Sequence, residues 1–265
     1  MPFADVNGTR LHYEVAGEGP PVVFVHGLGL DMRMWDDQFD VFARRYRVMR
    51  YDLRGFGKSA PQTEERFLHA EDLRALMDHL EAPKANVIGL SLGGMIALQF
   101  ALLFSDALWK LVLVDAALDG FEWSGEWEAA YAAIRERAAQ QGASAANQMW
   151  MEHDLFAPAR ERPECRSKLA QMVTECSGWT WVNKSTARGI RPPSAERLGE
   201  ILAPTLVLVG ERDLPDFQRI ANKLTAEIPA ARKVEMKGVG HMSNMENAEL
   251  FNTIVNGFLS ELDSR

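Results

Sequence analysis

The chain has 265 residues, 47% apolar and 25% charged, a globular composition that excludes disordered, collagenous and coiled-coil proteins. Its 29 Lys and Arg against 37 Asp and Glu leave a net charge of −8, so no cationic face for a nucleic acid or an anionic membrane is expected. Two cysteines, Cys165 and Cys176, with no CxxC pair or histidine cluster beside them, exclude a disulfide framework and a structural zinc site.

Residues 2–6 and 9–15 read as an antiparallel edge hairpin turning at Asn7-Gly8. Flat apolar runs at 21–25 and 47–51 predict strands covered on both faces, as in a parallel sheet. Leu73, Leu76, Met77 and Leu80 repeat at helical spacing, and Ala82-Pro83 ends that helix. A third strand at 86–90 runs into an apolar helix over 92–104, and a fourth follows at 111–114. Strand–helix alternation then breaks. Residues 118–198 read as helical, and five of the seven tryptophans fall there, at 123, 127, 150, 179 and 181, so this stretch must pack on something large and apolar. Order returns with strands at 206–209 and 233–236. A last helix carries Phe251, Ile254, Val255, Phe258, Leu259 and Leu262 on one face, with Asn247 as its N-cap. The expected fold is α/β, a mostly parallel doubly wound sheet with an inserted helical cap. Residues 1–117 and 199–265 form the core and 118–198 the cap.

Gly89-Leu90-Ser91-Leu92-Gly93 sits where the third strand meets the apolar helix. In that setting G-x-S-x-G predicts a sharp turn that pushes the serine hydroxyl out of the sheet, with glycines where any Cβ would strike backbone. The helix N-terminus also turns free amides and the positive end of its dipole toward the serine. Ser91 is the predicted nucleophile.

A serine needs a base, and six histidines compete. His69 and His79 lie on a charged helix with Glu71, Asp72 and Asp78 and are read as solvated. His12 belongs structurally to the hairpin, His26 braces its loop, and His153, beside Glu152 and Asp154 in the cap, is read as a surface residue, with a place facing substrate as the alternative. His241, in the glycine-rich loop 238–241, is the predicted base, with an ionisation near the ordinary histidine value of about 6.5. Asp213, just past the strand at 206–209, is the predicted acid that orients it. Asp115, ending the strand at 111–114, is the rival, and Glu211 a weaker one. The oxyanion requires two amides, assigned to Leu92 and to Leu28 in the loop after the first core strand. Trp123, Trp150 and Trp179 are candidate substrate-binding residues. Arg160, Arg162, Arg166 and Lys168 are read as a solvated face rather than a carboxylate site.

His26-Gly27, Asp52–Ser59, the 89–94 elbow, Gly210–Asp213 and Gly238–His241 together resemble successive landmarks of the α/β-hydrolase fold superfamily. The similarity covers the presumed core and not the cap. It is nearest in flavour to small bacterial carboxylesterases and 3-oxoadipate enol-lactonase-like hydrolases, through Gly-Leu-Ser-Leu-Gly-Gly and Gly-His-Met-Ser-Asn-Met-Glu. The resemblance implies a Ser-His-Asp triad, an acyl-enzyme, and a structural role for Asp52–Ser59 near the site. Haloalkane dehalogenases and epoxide hydrolases of this fold carry Asp where this chain has Ser91, which disfavours their chemistry. Carbon–carbon hydrolases usually carry Asn where this chain has Leu90, which weakens that reading without closing it.

The expectation is therefore a serine hydrolase of a small carboxylic ester or lactone. The alternatives are a carbon–carbon hydrolase or cofactor-free perhydrolase on the same triad, and a ligand receptor of the same fold. No metal or organic cofactor is expected, since H-E-x-x-H, P-loop and Rossmann glycine patterns are missing. Residues 1–8 lack a signal-peptide pattern and the apolar stretch 93–104 is too short to span a membrane, so the expected location is cytoplasmic, with neither membrane nor nucleic-acid partners.

Overall fold

The computed structural model describes residues 2–261. Eight strands, β1 (Phe3–Val6), β2 (Thr9–Ala16), β3 (Pro21–Val25), β4 (Arg47–Tyr51), β5 (Ala85–Leu90), β6 (Leu108–Val114), β7 (Thr205–Gly210) and β8 (Ala231–Met236), form one sheet. Their order is β1-β2-β4-β3-β5-β6-β7-β8. β1 and β2 form the expected hairpin. Asn7 and Gly8 both take positive φ, 45° and 68°, as a two-residue turn matched to strand twist requires. β2 runs antiparallel to β4, and every pair from β4 to β8 is parallel.

The helices are α1 (Asp36–Phe42), α2 (His69–His79), α3 (Leu92–Leu103), α4 (Gly125–Gln141), α5 (Ala143–Met151), α6 (Ala157–Arg160), α7 (Pro163–Glu175), α8 (Trp179–Val182), α9 (Pro215–Glu227), α10 (Ser243–Glu246) and α11 (Ala248–Ser260). Alternate strand residues feed two cores. Val22, Phe24, Ile88, Val112 and Leu206 pack with Phe42 of α1, with Phe251 and Val255 of α11, and with Trp150 and Trp181. Val23, Val87, Leu111 and Val207 pack on α2, α3 and α9 through Leu73, Ile96 and Leu224. Burial on both sides is why these strands read as unbroken apolar runs.

Asn247 caps α11 as expected, accepting from Leu250 N at 3.2 Å. Phe251, Val255, Phe258 and Leu259 are buried along its stripe. Leu262 lies outside the described residues. Between β6 and β7 the chain carries helices α4 to α8, with irregular backbone at 115–124 and at 183–193, the latter holding one isolated bridge from Ala187 to Phe67. Among the described residues no helix is long and apolar enough to cross a membrane.

Register decides what lies at the site. Val25 pairs with Gly89, Leu90 with Val114, Val114 with Leu208, and Gly210 with Met236. The carboxyl ends of β3, β5, β6, β7 and β8 are thus level. The residues that follow them, His26, Ser91, Asp115, Glu211–Asp213 and Lys237–His241, leave the sheet on one edge.

Candidate active site

Ser91 joins β5 to α3 with φ 55° and ψ −116°, a conformation a non-glycine residue holds only under constraint. The constraint is visible. Ser91 N donates to Val114 O at 3.0 Å, and Ala117 N donates to Ser91 O at 3.0 Å. A Cβ on Gly89 would overlap the Gly93 carbonyl, and one on Gly93 would overlap the carbonyls of Val25 and His26. Without those side chains α3 starts directly above the ends of β3 and β5. Leu92 is its first residue, so its amide is one of those the helix leaves unbonded.

The loop after β3 faces the same serine. A Cβ on Gly27 would lie 3.6 Å from Ser91 Cβ, and Leu28 follows, half-buried. Gly27 N is spent on Met34 Sδ at 3.3 Å. His26 braces the loop, as expected. Its Nδ1–H donates to Gly27 O at 2.8 Å and its Nε2 accepts from Leu53 N at 2.9 Å, which fixes one neutral tautomer. Burial lowers its pKa.

His241 donates Nδ1–H to Asp213 Oδ2 at 2.9 Å, and both groups are buried. Asp213 Oδ1 accepts from Leu214 N at 2.7 Å. With Nδ1–H committed, Nε2 of His241 is left as a proton acceptor. Burial pushes the His241 pKa down to about 4, so the ordinary value expected from sequence gives way to a base that stays neutral well into acid. Phe217 of α9 lies against the imidazole with ring centres 4.3 Å apart.

Asp115, the rival acid, makes other bonds. Its Oδ1 accepts from Gly210 N at 2.7 Å and its Oδ2 from Ser243 Oγ at 2.6 Å. It thereby ties the loop that carries Asp213 to the turn after His241, from a backbone with φ 43°. Burial pushes both aspartate carboxyls well above the ordinary range. Ligand atoms of Asp115, Asp213 and His241 lie within 4.8 Å of one another, as a metal would need. All four carboxylate oxygens and Nδ1 are already hydrogen-bonded inside the protein, so the set is a closed polar network.

Three residues at the site escaped sequence reasoning. Glu246 Oε2 accepts from Gly240 N at 2.8 Å, and its Oε1 accepts from Met242 N at 3.1 Å, clasping the backbone on both sides of His241. Its spacing five residues after His241 was the available signal. Ser243 stood inside the Gly-His-Met-Ser-Asn-Met-Glu run without an assigned role, and the helical spacing of Phe217 with Ile220 and Leu224 was the signal for Phe217. Among the other histidines, His69 corrects the reading from its charged neighbours. It is buried against Phe67 with ring centres 4.8 Å apart, and burial pushes its pKa down to about 3. His12 is structural, donating Nδ1–H to Asp52 Oδ2 at 2.7 Å. Asp52 also accepts from Met32 N at 3.0 Å and Lys58 N at 2.9 Å, so this loop is braced from within.

A cavity of about 400 Å³ lies between the start of α4, the turn at 153–154 and the start of α9. Trp123, Trp127, His153 and Leu214 line it, which brings His153 off the open surface where its acidic neighbours had put it. Trp123 and Trp127 stack with ring centres 4.9 Å apart, and both rest on Phe217. Trp150 lies behind them, 6.4 Å from Trp127. Trp179, half-buried at the start of α8, is not among the residues lining this cavity. Three of the four basic candidates are committed elsewhere: Arg160 to the carbonyls of Met151 and His153, Arg162 to Glu246, and Lys168 to Asp37.

Comparison with known proteins agrees with this architecture. Residues 20–248 match the model of the alpha/beta hydrolase fold family. The enol-lactonase from Burkholderia xenovorans LB400 is 28% identical, with a TM-score of 0.83 over 98% of this chain and 100% of that one. A thermophilic esterase from Thermogutta terrifontis is 30% identical, with a TM-score of 0.81 over 95% and 93% of the two chains. A relative from Azorhizobium caulinodans, named provisionally as the carbamate hydrolase RutD, is 27% identical over 99% of this chain and all of its own length. The chain belongs to the alpha/beta hydrolase fold family.

Proposed function

We propose that the protein is a carboxylic ester hydrolase that cleaves a small ester or lactone through an acyl-enzyme on Ser91. The observation that carries this reading is a serine held at φ 55° on the same sheet edge as a buried His241–Asp213 hydrogen bond of 2.9 Å. His241 Nε2 takes the Ser91 proton as Oγ attacks the carbonyl carbon. Asp213 holds the tautomer and stabilises the imidazolium. The amides of Leu28 and Leu92 receive the oxyanion. His241 then gives the proton to the departing alkoxide. A water molecule, deprotonated by the same nitrogen, releases the acid and restores Ser91. The helical insertion at 118–198 acts as a cap, and Trp123, which lines the cavity beside Trp127, supplies an apolar wall for the substrate. Similarity to an enol-lactonase and an esterase supports both the bond class and a small-molecule substrate.

The test is covalent. A fluorophosphonate should add one label to the wild type and none to Ser91→Ala, with ester turnover lost by at least about 10³-fold. Equal labelling of the two proteins would remove Ser91 from the mechanism.

A further inference from the structure

Trp150 lies in α5 with 2% of its surface exposed, its ring packed against Trp127, Phe156 and Trp181 at 5.1 to 6.4 Å between centres. Two indole N–H groups of this cluster are buried, and they differ. Trp181 donates to Asn147 Oδ1 at 2.9 Å. Trp150 Nε1 has no acceptor. A buried donor left unpaired costs about 1–3 kcal/mol, so most such groups in folded proteins have a partner.

Its contacts show which segment the donor faces. A Cβ on Gly29 would come within 2.8 Å of Trp150 Nε1, so the N–H edge of the indole rests on that glycine. Gly29, at φ +71°, follows Leu28 in the loop whose Gly27 lies beside Ser91 Cβ. The unpaired donor therefore sits in the seam between the helical insertion and the loop assigned to the oxyanion, one residue from that assigned amide.

We propose that Trp150 Nε1–H is a specificity-determining donor. It pairs with an oxygen on the acyl group of the substrate, close to the scissile carbonyl, when that group enters the seam. The substrate class is then an ester or lactone whose acyl part carries an ether, hydroxyl or keto oxygen, favoured over a plain alkanoyl group of the same shape. An alkanoyl group would leave the donor unpaired at its full cost; an oxygenated one relieves it. This inference rests on the hydrolase reading above.

p-Nitrophenyl methoxyacetate and p-nitrophenyl butyrate match in shape and differ by one ether oxygen in place of a methylene. Trp150→Phe keeps a six-membered ring in the cluster and removes the donor with the five-membered ring that carries it, and the butyrate ester, which offers the donor no acceptor, controls for the lost volume. The ratio of kcat/KM for methoxyacetate over butyrate should fall about ten- to a hundredfold in Trp150→Phe. An unchanged ratio overturns the assignment. A second readout needs no turnover. On Ser91→Ala protein labelled with ¹⁵N, the Trp150 indole proton should move downfield with the methoxyacetate ester and stay with the butyrate ester. Equal shifts, or none, overturn it as well. If neither ester is hydrolysed and Ser91 takes no label, the parent reading fails, and the indole resonance alone decides this one.

Discussion

Two buried carboxylates crowd His241, and their hydrogen bonds separate their roles. Asp213 accepts from the imidazole, while Asp115 accepts from Gly210 N and Ser243 Oγ and holds the two flanking loops together. Replacing an orienting aspartate by asparagine lets the histidine adopt the wrong tautomer, at a cost of about 10⁴ in kcat in serine proteases. Asp213→Asn should lower kcat by about 10²–10⁴, and Asp115→Asn by less than about tenfold, because an asparagine there can still accept from Gly210 N. Steady-state kinetics on both folded variants checks this, and the reverse order would move the acid to Asp115. At this scale the nucleophile, base and acid candidates were readable because each follows an apolar strand in a glycine-bearing turn. Glu246 was not, since its work is to accept two amides that only the folded loop brings round it. His69 misled for a related reason. Glu71 and Asp72 beside it suggested solvent, while the burying contact comes from Phe67, on the segment leading into the helix.

The elbow between β5 and α3 is where one missing side chain decides how two elements meet. Backbone carbonyls of Val25 and His26 occupy the space a Gly93 Cβ would need, and backbone cannot swing aside as a side-chain tip can. Gly93→Ala should lower stability by about 1–3 kcal/mol and reduce fluorophosphonate labelling, since α3 must lift and take the Leu92 amide with it. Gly257→Ala in α11 is the control. Nothing lies within 4 Å of its Cβ position, so the better helix former should add about 0.5–1 kcal/mol. Urea unfolding of both variants measures the contrast, and a neutral Gly93→Ala would contradict the packing described here. Strands β3 to β7 were readable as flat apolar runs because both their faces are covered. The crossing of β3 and β4 in the sheet order was not, because nothing local in either run records its neighbour. Helices α1 and α9 also went unassigned, although Phe217, Ile220 and Leu224 stand at helical spacing on the buried side of α9.

Among the described residues, four imidazoles sit where a positive charge is disfavoured. Burial lowers the pKa of His26 and His153, of His69 to about 3, and of His241 to about 4. A histidine whose folded pKa lies below its unfolded value of about 6.5 is protonated first in the unfolded chain. Its contribution to stability is complete above pH 6.5 and is lost as pH falls toward the folded value. Asp115 and Asp213 act in the opposite sense. Their raised pKa means that the fold takes up those protons first, so acid adds to stability through them. The wild-type curve mixes both effects, and His69 separates them, because it stands outside the site with Nδ1 unpartnered. The unfolding free energy of His69→Phe relative to wild type should be constant above pH 7. Below pH 6.5 it should move in favour of the variant by up to about 1.4 kcal/mol per pH unit, down to about pH 3. A difference that stayed level across that range would mean that the ring accepts a proton in the folded protein. Activity follows a different group. With His241 as the proposed base, hydrolysis needs it neutral, and its lowered pKa keeps it so through the range where an ordinary histidine would already be charged. Read within seconds of a jump from pH 7, before slow unfolding intervenes, wild-type kcat/KM should hold through pH 6 and fall with a midpoint near 4. A midpoint at 6.5 or above would show that the imidazole meets solvent during turnover, and that the closed surroundings of His241 open before the proton moves.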